Sequence, residues 1–160
     1  MQSQMLIDGT WSEGPDRLAV TNPATGEEIA QVAAGGPAEA TAAVDAAARA
    51  QRGWAATAPR VRSEILRACF QTLIEHTDEL GTLITLEHGK PLADAKGEIA
   101  YAAEFFRWNA EEAVRIDGII KTAPGGANKI IVHHPPVGVV VMVTPWNFPC
   151  LLYTSDAADE

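Results

Sequence analysis

From Val143 to Cys150 the chain reads VTPWNFPC, a stretch dense in unusual residues. Pro145 and Pro149 flank Trp146 and Asn147; each proline fixes φ and removes a backbone donor, so the loop is stiff and the asparagine amide is aimed. A rigidly held amide N–H is what an oxyanion hole requires, because the donor must stand in place before charge develops on the reacting oxygen. The same residues also fit a rigid surface turn with a half-buried Trp and an Asn that caps a helix. Both readings stand on these residues alone.

Other side chains invite chemistry less strongly. Cys150 lies three residues from Asn147 and so comes into question as a nucleophile. Cys69 falls on an apolar helical stripe and reads as a buried structural thiol. His133 and His134 are adjacent on an expected strand, so they point to opposite faces and belong to a hairpin surface. Gly89-Lys90-Pro91 reads as a helix stop with an exposed lysine. Trp11, Trp54 and Trp108 read as core and interface aromatics. The two cysteines form no disulfide framework, and no CxxC or HxxxH spacing points to a metal.

Elements must carry that loop. VGVVVMV, Val137 to Val143, is an apolar run without alternation, the pattern of a parallel strand covered on both faces. Thr144 to Asn147 would then sit at its carboxyl end, where open α/β sheets bind ligands. Before it, GIIKTAPGGANKIIVHHPP predicts a hairpin around Pro124-Gly125-Gly126. An alanine-rich helix is expected from Pro37 to near Trp54, and a second from Pro59 to about Asp78. ELGTLITLEHGKPL offers a further helical turn or two. A third long helix carries Ile99, Ala103, Phe106, Ala110 and Ala113 at steps of four and three, and should stop at Gly118. The amino-terminal strands, with turns at Asp8-Gly9, Asn22-Pro23 and Thr25-Gly26, predict a small β-meander. The fold class is α/β.

Composition narrows the partners. The 160 residues are 47% hydrophobic, enough for a core, and the net charge of −9 argues against nucleic acid or an anionic membrane surface. Arg49, Arg52, Arg60, Arg62 and Arg67 are spread over helical faces and read as solvated. No apolar run reaches the ~20 residues that span a bilayer, and the start lacks the basic-then-apolar order of a signal peptide. A cytoplasmic protein is expected.

VTPWNFP resembles the signature loop of the NAD(P)-dependent aldehyde dehydrogenase superfamily. Further stretches resemble it in the same order: NPATGEEIAQV, the alanine helix ending in Trp54, LEHGKPLADAKGEI and FFRWNAEEAVRIDG. The likeness covers about residues 5 to 149, and EEAVRIDG with PPVGVVVMVTPWNFP is most similar to the succinate-semialdehyde dehydrogenase branch. The resemblance implies a cysteine thiolate that attacks an aldehyde, hydride transfer to NAD or NADP, and release of the acid by water. It maps the oxyanion-stabilising asparagine onto Asn147, and it places Val143, Thr144, Pro145, Trp146 and Asn147 along the cofactor channel. It puts the nucleophile in a loop far downstream, which removes Cys150 from that role.

On the same likeness, residues 1–118 are the amino-terminal part of the NAD(P)-binding domain and 119–136 an oligomerisation hairpin of a homo-oligomer. Residues 137–149 are the first strand and PWNFP loop of a Rossmann-like sheet. After Pro149 the resemblance stops, and Cys150 to Glu160 reads as a translated sequencing-adapter tail, so the chain is expected to be an amino-terminal fragment without activity of its own. Two competing readings are a CoA-acylating semialdehyde dehydrogenase, which tends to carry Phe at the place of Trp146, and a non-catalytic module that binds a partner through the hairpin.

Overall fold

The computed structural model describes residues 2–150; apart from Cys150, the expected foreign tail lies outside the described residues. β1 (Met5–Ile7) and β2 (Thr10–Ser12) pair antiparallel with Ile7 opposite Thr10. Asp8 and Gly9 between them take φ of 52° and 72°, the left-handed pair that a two-residue hairpin of matching twist needs. β3 (Asp16–Thr21) pairs antiparallel with β4 (Glu28–Ala34). Their turn is tied by the Asn22 N–H to the Glu27 carbonyl at 2.8 Å and the Ala24 N–H to Asn22 Oδ1 at 2.9 Å.

The expected meander is thereby corrected to two separate hairpins. Pro15, which has no N–H to give a ladder, stands between β2 and β3, and Gly14 turns there at φ 69°. One backbone bond, Ala33 N–H to the Ser3 carbonyl at 2.7 Å, links the lead-in of the first hairpin to the second.

Among the described residues four helices follow where three and a turn or two were expected. α1 (Pro37–Ala55) opens with proline in its first turn, and Glu39 reaches back to accept the Gly36 N–H at 2.8 Å. α2 (Pro59–Glu75) also opens on proline. It ends at Glu75, three residues short of the expected stop, with His76 as its cap, and α3 (Thr77–His88) begins at once. Asp78 and Glu79 in the first turn of α3 and His88 in its last suit the helix dipole. Gly89 closes α3 at φ 70°, and a Cβ there would also meet Pro23 Cγ at 3.1 Å. α4 (Leu92–Glu112) ends six residues before Gly118.

α4 is the central element, packed against α2 and α3. Its buried residues are Ala95, Glu98, Ile99, Ala102, Ala103 and Ala110, one stripe at steps of three and four. The small residues let neighbours come close. At Gly81 on α3 an added Cβ would sit 2.9 Å from Lys96 Cγ of α4, and Lys96 Nζ reaches Asp78 Oδ1 at 2.7 Å across the same seam. The tightest apolar cluster is Ile84, Ala95 and Ile99, with Leu73, Leu80 and Cys150 packed against it.

The carboxyl-terminal third departs from expectation in one respect. β5 (Ile119–Thr122) and β6 (Lys129–Val132) form the expected hairpin, closed by Ala123 N–H to the Asn128 carbonyl at 2.9 Å. Val137 to Val143, expected as a strand, forms no ladder among the described residues. A parallel strand exists only through its neighbours, and none of the described strands lies beside it. Val137, Val141 and Val143 are consequently exposed. Val137 to Val140 and Met142 instead border a 340 Å³ cleft whose other wall is α1 at Ala47, Ala50 and Trp54.

Candidate active site

The turn from Trp146 to Cys150 lies over the junction of α3 and α4. That junction is short because Gly89 ends one helix and Pro91 caps the next, leaving Lys90 as the single residue between them. Its side chain runs inward. Lys90 Nζ forms an ion pair with Glu98 Oε2, and the two side chains are 19% and 3% exposed. This corrects the expectation of an exposed lysine: a carboxylate buried on α4 is stabilised by a cationic partner, and Lys90 supplies one.

The pair also grips the loop. Lys90 Nζ donates to the Asn147 carbonyl at 3.2 Å and lies 4.4 Å from the centroid of the Phe148 ring. Glu98 Oε1 accepts the Cys150 N–H at 3.0 Å. Upstream, Trp146 stacks on His88 with ring centroids 6.2 Å apart and planes 26° from parallel. Asn147 is therefore fixed through its backbone, while its side-chain amide is exposed and takes no partner among the described residues.

The residues singled out around Asn147 come together in this loop. Val143, Pro145 and Trp146 are exposed and Thr144 is partly buried; Trp146 is 80% exposed. Exposed apolar faces beside a threonine hydroxyl and an asparagine amide suit a ring carried on a hydroxylated sugar, as the nicotinamide riboside half of NAD or NADP is. Cys150 has a thiol pushed up from an ordinary 9.0 to about 11, first by burial and then by the Glu98 carboxylate beside it. A thiol so disposed stays protonated at neutral pH and is a poor nucleophile.

Other candidates fall away from the loop. Cys69 is half-buried on α2 rather than fully enclosed. His133 and His134 are both exposed just beyond β6. Trp11, Trp54 and Trp108 are 50%, 39% and 67% exposed, so none of them fills this chain's core. Among the described residues no group of three or more His, Cys, Asp or Glu side chains could hold a metal ion, and no helix is long and apolar enough to cross a membrane.

Glu98 was not foreseen at all. Its signal was nonetheless present: it falls within the stripe of Ala95, Ile99 and Ala102, where a carboxylate is out of place, eight positions after Lys90.

The chain is similar to known proteins along most of its length. The chain is 50% identical over 130 residues to succinate-semialdehyde dehydrogenase of Paenarthrobacter nicotinovorans, covering 81% of this chain and 29% of that protein. It is 46% identical over 160 residues to the NADP(+) succinate-semialdehyde dehydrogenase GabD of Escherichia coli K12, covering 98% and 33%. A crystal structure of an E. coli NADP-dependent enzyme superposes with a TM-score of 0.94 at 44% identity, over 98% of this chain and 33% of that one. The chain thus spans about a third of the length of the relatives it matches. Residues 11–159 match the Aldehyde dehydrogenase family, and the chain belongs to that family.

Proposed function

We propose that this chain supplies the amino-terminal part of an NAD(P)-dependent aldehyde dehydrogenase that oxidises a semialdehyde, such as succinate semialdehyde, to its carboxylic acid. The observation that carries the reading is the loop itself. Trp146-Asn147-Phe148 is held by its backbone over α3 and α4 while the Asn147 amide stays exposed, in a chain nearly half identical to succinate-semialdehyde dehydrogenases. The Trp at position 146 favours the hydrolytic branch over the CoA-acylating one.

In this reading Asn147 donates its side-chain N–H to the aldehyde oxygen as that oxygen gains negative charge. A donor fixed in advance lowers the barrier because no reorganisation is needed when the charge appears. Val143, Pro145 and Trp146 present apolar surface to one side of the cofactor, and Thr144 offers a hydroxyl. A nicotinamide cofactor, when bound along these residues, would supply the hydride acceptor. Cys150 takes no part in this reading: burial and the neighbouring Glu98 carboxylate push its thiol up to about 11, which disfavours the thiolate.

The remaining assignments follow from the same reading. Ile120 and Ile131 face each other across the β5–β6 hairpin and are 75% and 68% exposed, which supports a role for the hairpin in joining subunits of a homo-oligomer. The enzyme works in the cytoplasm, and its partners are its small aldehyde substrate and its own copies. The test is to express the full-length protein that carries this segment and follow nicotinamide reduction with succinate semialdehyde and other aldehydes. Aldehyde-dependent reduction of NAD or NADP is expected. A folded, full-length protein that reduces neither cofactor with any semialdehyde would overturn the proposal.

A further inference from the structure

We infer that Lys90 and Glu98 are positioning residues for Asn147, an inference that rests on the oxyanion-donor role just proposed. The observation is an ion pair placed where a core needs none. Glu98 is buried on α4 among alanines and Ile99, and a buried pair of this kind is often no more stabilising than apolar side chains of the same volume. Its geometry is instead spent on the loop. One partner holds the Asn147 carbonyl at 3.2 Å, and the other holds the Cys150 N–H at 3.0 Å. The four residues from Asn147 to Cys150 are thereby pinned at both ends by a single pair.

The anchor is itself fixed. Lys90 stands between the left-handed Gly89 and Pro91, so its backbone cannot drift along either helix, and its ammonium also lies against the Phe148 ring. Pro149 supplies no N–H within the pinned segment, which leaves Cys150 as the next amide able to be held. The backbone of Asn147 is then held by a chain of contacts that begins in the α4 core and sets where its side chain projects, and a misplacement of about 1 Å at such a donor lowers turnover by up to ~10².

A purely structural pair would tie α3 to α4 and nothing more. The two roles separate in a variant that removes both charges without leaving one buried alone, Lys90→Met with Glu98→Gln. Hydrogen exchange is read first, on the 160-residue chain. With the Lys90 hold on the Asn147 carbonyl lost and the Glu98 bond weakened, exchange at the Cys150 amide should speed by about tenfold, while Ile99 and Ala103 amides in α4 keep their rates. Unchanged exchange in the loop, or equal acceleration throughout α4, would overturn the positioning role whatever the enzyme does.

Turnover is read second, in the full-length enzyme, as a cycle with Asn147→Ala. The double charge removal should lower kcat roughly tenfold with KM little changed, and it should lower kcat hardly at all once Asn147 is already alanine. Equal losses in both backgrounds would overturn the inference. If Asn147→Ala itself leaves kcat intact, it is the oxyanion reading that fails, and the exchange data still decide whether the pair holds the loop.

Discussion

Ile99→Ala tests the packing on which the loop rests. Ile99 is 1% exposed, and it shares its cluster with Ile84, Ala95 and partly buried Leu73, Leu80 and Cys150. The substitution deletes three side-chain carbons, which at about 0.8 kcal/mol each gives roughly 2.4 kcal/mol of lost transfer free energy. A cavity term adds to this. Ala95, Ala102 and Ala103 flank Ile99 on α4 and are fully buried, so they have no side-chain reach with which to fill the space. The expected total is about 3–4 kcal/mol, in the range for buried Ile-to-Ala changes. Urea unfolding followed by helical circular dichroism measures it, with Ile99→Val as a milder step costing about 0.5–1.5 kcal/mol. Because Cys150 packs on the same cluster, its amide should also exchange faster. A loss below about 1 kcal/mol, with the Cys150 amide still protected, would refute the claim that this core supports the loop.

Two further outcomes are expected. The Cys150 thiol should resist alkylation at neutral pH in a Cys69→Ser background, and its thiolate absorbance should reach half its change near pH 11 rather than 9.0; a midpoint at the ordinary value would remove the burial argument. The sign of the linkage follows: a thiol whose pKa is raised on folding contributes stability fully below about pH 9, and that contribution fades as pH climbs through 11. The 160-residue chain alone should oxidise no aldehyde with NAD or NADP, since it spans a third of its relatives and the family's nucleophilic cysteine is expected downstream; aldehyde-dependent turnover that survives repurification would contradict this.

Much of the architecture was legible because it is written in local signals. Asp8-Gly9 demanded a tight hairpin, Pro37 and Pro59 marked helix starts, and of the expected stripe Ile99, Ala103 and Ala110 are buried on α4, Ala113 is buried at its cap and Phe106 is partly buried. What escaped depends on contacts between distant residues. The division of α2 from α3 rests on His76 alone, at φ −100° and ψ 14°, and no glycine or proline announces it. The Val137 to Val143 run has the composition of a strand, but a ladder is a property of pairs, and no described strand pairs with it. The site shows the same division. The Pro-Trp-Asn-Phe-Pro order told of a stiff loop, whereas the inward turn of Lys90 toward Glu98 was hidden because lysine after a helix stop ordinarily meets water.

The central claim is that Asn147 acts on charge that exists only during the reaction. The most direct test is Asn147→Ala in the full-length enzyme, with kcat, melting temperature and cofactor affinity measured on the same preparation. The account predicts a kcat lower by about 10²–10³, equivalent to roughly 3–4 kcal/mol, with melting temperature and cofactor affinity close to those of the parent. A kcat near that of the parent together with a clearly lowered melting temperature would show that Asn147 only shapes the turn, and would contradict the account.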